Sequence, residues 1–545
     1  MKILNSILSL KVICATVVAA HQPSEPQKYH ALVASYNPQA RVAALDMLRA
    51  GGNAFDAFVA ATLVEYIVAP GVTSAAGPLA ALVYHANTKT TTYLDASFNM
   101  VTAPDGQWKP GEPDGKAVLV PGAIAGLEEI SRKFGKLSFS RVVQPARVLA
   151  RQGFLVSDAY STIIRTYANT LKRTEYGRKT FFKSHEPLTV GDRLQLPEVA
   201  GFLDGLSKEG SAYMYRGHWA DAFVREVSAA GGLASFDDLK AYQVRWLAPH
   251  KSSYRGYELH SSSGRAFGGP WQLVALKTLE HTKLDHTMHY SKKADDLGLL
   301  VRIARTMWQE SWLTDTRVLD DNVLIASKLA EEYTRKLWEK VKSQIPKPDG
   351  GIGTHSFHVI VADEEGNVIT GTNTIESLPW GDGIFVQGVP LTNAGKLPFN
   401  TRPGERVISP FALQLGFRNG NLAMAMGTFN SSLVEAGFQF LVNAIDYGFD
   451  PQSSTWSPRF GTFPFNEMMQ PDPTSNWLDP RIETKIVTAL GNQGLKFVQK
   501  GYIDTGSGAI VRRDENGYWS GGMPELKGFD NFVSGFQVEE RLPNR

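Results

Sequence analysis

The stretch that most constrains this chain runs Gly353-Thr354-His355-Ser356-Phe357-His358-Val359-Ile360-Val361-Ala362-Asp363 and closes with Glu364-Glu365-Gly366-Asn367. A hydroxyl residue, Ser356, opens a β-run, an acidic Gly-Asn turn ends it, and a second run from Val368 to Ile375 returns antiparallel. Ahead of it, Pro346-Lys347-Pro348-Asp349-Gly350-Gly351-Ile352-Gly353 reads as a connecting loop, because Pro and Gly punctuate regular structure. An accessible connector leading to a hydroxyl residue is what a self-cleaving junction needs. Cleavage before Ser356 would free an α-amine that titrates at roughly 7.7–8.0. One residue would then supply both nucleophile and base. A plain hairpin beginning with Ser fits the same pattern, so the stretch gains chemical meaning only from its context.

Around this hairpin the pattern is that of a large α/β or α+β protein. Residues 30–350 are mainly helical with interspersed strands. Phe55, Phe58, Val59, Leu63, Tyr66 and Ile67 recur at the spacing of an amphipathic helix, with Asn53 as its N-cap. A further helix is expected from Asp295 to Trp312. A second hairpin pairs Phe411–Gly416 with Leu422–Gly427 through Asn419-Gly420, and a helix from about Ser432 to Asp446 follows it. The 545 residues, 43% apolar and 20% charged, can bury a sizeable core. A net charge of +2 carries no basic footprint for nucleic acid or an anionic membrane.

Landmarks recur along nearly the whole chain. Asn37-Pro38-Gln39-Ala40 and Leu45-Asp46-Met47-Leu48-Arg49-Ala50-Gly51-Gly52-Asn53-Ala54 come first, followed by Val120-Pro121-Gly122-Ala123-Ile124-Ala125-Gly126-Leu127. Gln144-Pro145-Ala146, Gly153-Phe154-Leu155-Val156-Ser157, Tyr215-Arg216-Gly217, Ala230-Gly231-Gly232-Leu233 and Tyr254-Arg255-Gly256-Tyr257 follow in order. In their order and spacing they resemble the γ-glutamyltransferase (glutathione hydrolase) family of N-terminal-nucleophile hydrolases. The resemblance implies an α+β fold, a four-layer α-β-β-α sandwich of two stacked, largely antiparallel sheets. It also implies a large-subunit-like region over 21–355 and a small-subunit-like region over 356–545, cut at the His355–Ser356 junction and held together as a heterodimer.

On that pattern Ser356 falls on the nucleophile, ten residues before Gly366, and His358 matches a family histidine two residues on. Thr374 matches the threonine that hydrogen-bonds the nucleophile and assists processing. His358 is expected to serve as a structural or gating partner, since the base would be the α-amine. Asn430 and Ser431, in Gly427-Thr428-Phe429-Asn430-Ser431-Ser432, replace the Gly-Gly oxyanion turn, although the same residues would also make a plain helix cap. The family's paired serines shrink to Ser409 in Arg406-Val407-Ile408-Ser409-Pro410. The arginine that grips a γ-glutamyl carboxylate is missing from Leu94-Asp95-Ala96-Ser97-Phe98-Asn99, and the acidic residues that hold its amino group are missing from Leu391–Phe399. A buried charge needs an opposite partner, so a zwitterionic glutamyl head is not the expected substrate.

The two functional classes left are an acyl-transferring enzyme acting on another small-molecule or peptide amide, and an unprocessed pseudoenzyme or binding protein on the same scaffold. No cofactor is implied. His281, Asp285, His286 and His289 sit close in sequence, yet the matching family segment binds no metal. No phosphate loop, G-x-S-x-G elbow or H-E-x-x-H motif occurs. Residues 1–20 carry two lysines, a nine-residue, largely apolar run and Val18-Ala19-Ala20 before His21, the layout of a secretory signal peptide, with a cytosolic leader as the alternative. That run is too short for a membrane anchor of ~20 residues. Cys14 is the chain's one cysteine, so removal of the leader would leave no thiol.

Overall fold

A computed structural model describes residues 27–343, 356–397, 401–462, 476–499, 506–524 and 533–537. The leader, the Pro346–Gly353 connector and His355 lie outside them. Thirteen strands among the described residues join in one hydrogen-bonded sheet. From the first part of the chain come β1 (Tyr29–Ala34), β2 (Leu79–His85), β3 (Thr90–Ala96), β4 (Arg245–Leu247), β5 (His250–Tyr254) and β6 (Tyr257–Ser261). From the rest come β7 (Ser356–Ala362), β8 (Val368–Thr374), β9 (Ala412–Arg418), β10 (Asn421–Phe429), β11 (Ser507–Arg513), β12 (Trp519–Gly522) and β13 (Val533–Gln537). Their order is β4-β3-β2-β8-β7-β1-β12-β11-β10-β9-β6-β5, with β13 also on β1.

The expected β7–β8 hairpin is present, registered from Ser356 opposite Thr374 to Ala362 opposite Val368. Its turn is anchored by Asp363, whose carboxylate accepts from the Asn367 side chain and from the amide of Ala54, the first residue of the helix Ala54–Val68. In the β9–β10 hairpin both Asn419 and Gly420 take positive φ, as a two-residue primed turn requires.

Side-chain alternation sorts the sheet into three cores. Val33, Leu79, Ala81, Val359, Val361 and Ile369 pack against α1 (Pro38–Arg49), α2 (Ala54–Val68), α3 (Ala123–Phe134) and α4 (Phe139–Gln152). Leu259, Met424, Met426 and Ile510 pack against α5 (Gly268–Leu279), α6 (Ala294–Trp308) and α7 (Leu433–Ile445). The third core lies between the halves of the sheet, where Leu32, Leu82, Ile360 and Val368 meet Leu413, Leu415, Ala425 and Val511.

Two details differ from expectation. The sheet is continuous, because β1 bridges both halves through Tyr29 opposite Trp519, whereas two separate sheets were expected. Accumulated strand twist lets one sheet curl until its halves face each other. Helix α2 is also not amphipathic: every residue from Ala54 to Val68 is buried, since it lies between the sheet and other helices. Asn53 caps it in a capping box with Asp56, as the sequence indicated. Among the described residues, no helix is long and apolar enough to cross a membrane.

Candidate active site

Ser356 is the first residue of β7, a strand held between β1 and β8, and it is 3% exposed. Thr374 faces it across the hairpin as the last residue of β8. The Thr374 hydroxyl oxygen accepts the Glu376 amide at 2.7 Å.

His358 shares the face of Ser356 and is wholly buried. Its Nδ1 lies 2.8 Å from the Thr372 hydroxyl and its Nε2 lies 2.8 Å from the Thr370 hydroxyl. Thr370 donates onward to the Met426 carbonyl, so Nε2 carries the proton and Nδ1 accepts from Thr372. Burial pushes this imidazole down to about 3. With both nitrogens engaged and the ring neutral, His358 braces the two halves of the sheet and is unsuited to proton transfer.

The Asn430-Ser431 turn leaves the end of β10, whose Phe429 ring lies 6.3 Å from that of Phe357, beside Ser356. Asn430 has φ of 65° and Ser432 has φ of 53°, both in the left-handed region that non-glycine residues seldom enter. Ser432 begins α7, yet its hydroxyl makes no capping bond. A plain helix cap therefore does not account for this turn. The left-handed backbone leads into a helix N-terminus, an end at which an anion is favoured.

The charges that the sequence pattern lacked are replaced by others that are already neutralised. Arg406 is buried and donates to the Ser97 carbonyl, to Tyr242 Oη at 2.6 Å and to the Gln243 carbonyl at 2.6 Å. Its Nε lies 3.3 Å from a carboxylate oxygen of Asp95. In the segment without acidic residues, Asn393 donates to Asp382 at 3.1 Å, but Lys396 already holds that carboxylate at 2.7 Å. Glu376 is the exception. It is 1% exposed, takes φ of 53°, and among the described residues neither of its carboxyl oxygens has a hydrogen-bond partner. Sequence reasoning passed over Glu376, Asp95, Arg406 and Asp382. An acidic residue directly beyond the end of a fully buried strand was the one available signal.

Ser409 is buried, but its backbone bonds tie it to Arg265 and Phe267. Of the histidine group, His281 bonds Thr334, His289 bonds Asn443, and Asp285 pairs with Lys293. Among the described residues no cluster of potential metal ligands occurs.

A family model described as Gamma-glutamyltranspeptidase matches residues 40–528. The chain is 26% identical to the glutathione hydrolase proenzyme of Bacillus subtilis (strain 168), over 95% of this chain and 96% of that protein. It is 27% identical to the acylase ACY 1 proenzyme of Pseudomonas sp. (strain SE83), over 88% and 89% respectively. In structure it is similar to the cephalosporin acylase from Bacillus halodurans, with a TM-score of 0.82 at 21% identity over 96% of this chain and 100% of that one. Helicobacter pylori gamma-glutamyltranspeptidase matches with a TM-score of 0.52 at 24% identity, over 57% and 92%. Both structural likenesses establish a shared mixed α+β fold.

Proposed function

Because the chain belongs to the gamma-glutamyltranspeptidase family, we propose that it is a self-cleaving amide hydrolase or acyltransferase whose nucleophile is Ser356. The observation that carries this reading is the buried hydroxyl of Ser356 at the head of a central strand, facing Thr374. Relatives named as proenzymes support the cut. Ser356 Oγ attacks the carbonyl carbon of His355, the C–N bond breaks, and water hydrolyses the resulting ester. The freed α-amine then takes the Ser356 proton in each acyl transfer. Thr374 orients the nucleophile, and the Asn430 and Ser431 amides receive the tetrahedral oxyanion, a donor type worth ~3–4 kcal/mol of barrier. Residues 21–355 and 356–545 become the two fragments of one particle, and the leader directs the chain to the secretory pathway. The three cores support a four-layer α-β-β-α arrangement.

The acyl group is other than zwitterionic γ-glutamyl. Arg406 and Lys396, cations beside or within the altered motifs, are already paired within the protein. Glutathione and γ-glutamyl anilides are therefore expected to be poor substrates. Efficiency of ~10⁴ M⁻¹s⁻¹ or more on a γ-glutamyl anilide would contradict this.

Intact mass of the purified protein tests the cut. Two fragments, the smaller beginning with Ser356, are expected. A single full-length chain after long incubation at neutral pH would overturn self-cleavage and leave the unprocessed scaffold as the function.

A further inference from the structure

Glu376 is a carboxyl group that the proposed chemistry does not use and the fold does not satisfy. Desolvating an unpaired carboxylate costs several kcal/mol, and at 1% exposure with neither oxygen bonded nothing offsets that cost. Buried Tyr93 senses the charges of Asp95, Arg406 and Glu376 together. Arg406, the cation of that group, is committed to Asp95, Ser97, Tyr242 and Gln243. Burial accordingly pushes its carboxyl up to about 8, and the group is mainly protonated at neutral pH. Its backbone is also held in a left-handed conformation while its amide binds Thr374, the residue opposite the nucleophile. Strain and an orphaned polar group at one residue mark a place where a ligand completes the structure.

A buried protonated carboxyl presents one donor and one acceptor side by side, and a carboxamide presents the complementary pair. We propose that Glu376 selects the acyl group, its unbonded carboxyl pairing through two hydrogen bonds with a carboxamide carried on the acyl chain. This rests on the reading of Ser356 as an acyl-transfer nucleophile. An ammonium or carboxylate at the same place would face a neutral acid and a closed Asp95–Arg406 pair, with no counter-charge.

The test uses the processed protein and four butanoyl p-nitroanilides, tipped with a carboxamide, an ammonium, a carboxylate or hydrogen. The carboxamide is expected to exceed the hydrogen-tipped chain in kcat/KM by at least roughly tenfold, in line with two buried hydrogen bonds. Glu376→Gln, which can still pair with an amide, should retain that ratio, while Glu376→Leu should bring it close to one. The wild-type ratio should fall above pH 8 and that of Glu376→Gln should not. An infrared difference spectrum at pH 6 between wild type and Glu376→Gln should contain the C=O band of a protonated carboxylic acid. Best turnover of the ammonium-tipped chain, or an unchanged ratio in Glu376→Leu, overturns the proposal and leaves acyl transfer standing. Failure of a cut chain to hydrolyse all four overturns the acyl-transfer reading and this role with it. Absence of the infrared band overturns the role whatever the activity.

Discussion

His358 and Gly427 form a matched pair across the two halves of the sheet. A Cβ on Gly427 would lie 2.0 Å from Cε1 of His358, so the ring occupies the space that a side chain would need. Gly427→Ala should therefore destabilise the fold by ~1–3 kcal/mol, as overpacking does. His358→Ala in the same chain should recover part of the packing loss. Chemical denaturation of both single variants and the double variant measures the coupling, and strict additivity would contradict the pairing. The pH dependence has a definite sign. His358 is neutral in the fold down to about 3, whereas an unfolded histidine binds a proton near 6.5. Its contribution is thus complete above about pH 6.5 and is lost as pH falls toward 3. Glu376 acts in the opposite sense: it retains its proton up to about 8, so its contribution falls as pH rises from about 4.5 to 8. Glu376→Gln should gain stability relative to wild type as pH rises through that range in thermal melts. At the proposed nucleophile, Ser356→Ala should abolish both cleavage and activity, Ser356→Thr should keep some of each, and Thr354→Ala should be nearly silent. Loss of processing in Thr354→Ala alone would move the site by two residues. Ser356, Thr374 and His358 stood out through the family resemblance, and period two along one strand places His358 on the face of Ser356. Glu376 and Arg406 acquire meaning only from neighbours distant in sequence.

At the scale of elements, hairpins and caps were legible because their signals are local. Asn419-Gly420 fixes a turn, and Asn53 with Asp56 fixes a helix start. The all-round burial of α2 was not legible, since alanines on its remaining faces fit a surface helix equally well until the layers above and below it are known. The Asn430-Ser432 turn is the element whose strain carries a prediction. A left-handed non-glycine residue costs ~1–2 kcal/mol, and Ser432 also buries a hydroxyl with no partner. Ser432→Gly should raise stability by ~0.5–1 kcal/mol, the relief being partly offset by glycine's greater unfolded-state freedom. Asn430→Gly should preserve turnover, because the backbone path is kept. Asn430→Val, which resists positive φ, should swing the amides away and lower kcat by ~10²-fold. Equal kcat in the glycine and valine variants would remove this turn from the oxyanion site.

The order of strands across the whole molecule determines what a cut can do. Landmarks in the sequence gave the family, but they did not reveal that one sheet runs through both regions, because pairings such as Tyr29 with Trp519 leave no mark in periodicity. In that sheet β7 and β8, which follow the junction, lie between β1 and β2, which precede it. Leu32–Ala34 pairs with Ile360–Ala362 on one side, and Leu79–Tyr84 pairs with Val368–Asn373 on the other. On the far half, β6 from before the junction pairs with β9 from after it. With the pairings of β1 to β12 and β13, separation of the two fragments would break five strand interfaces and expose all three cores at once. The cut chain should therefore elute as a single particle of full-length size under native conditions and resolve into two bands only in denaturant. It should also unfold in one cooperative transition, with fluorescence and far-ultraviolet circular dichroism giving the same midpoint. Release of a free, folded small fragment under native conditions would contradict the interleaved sheet and, with it, the placement of Ser356 on a central strand.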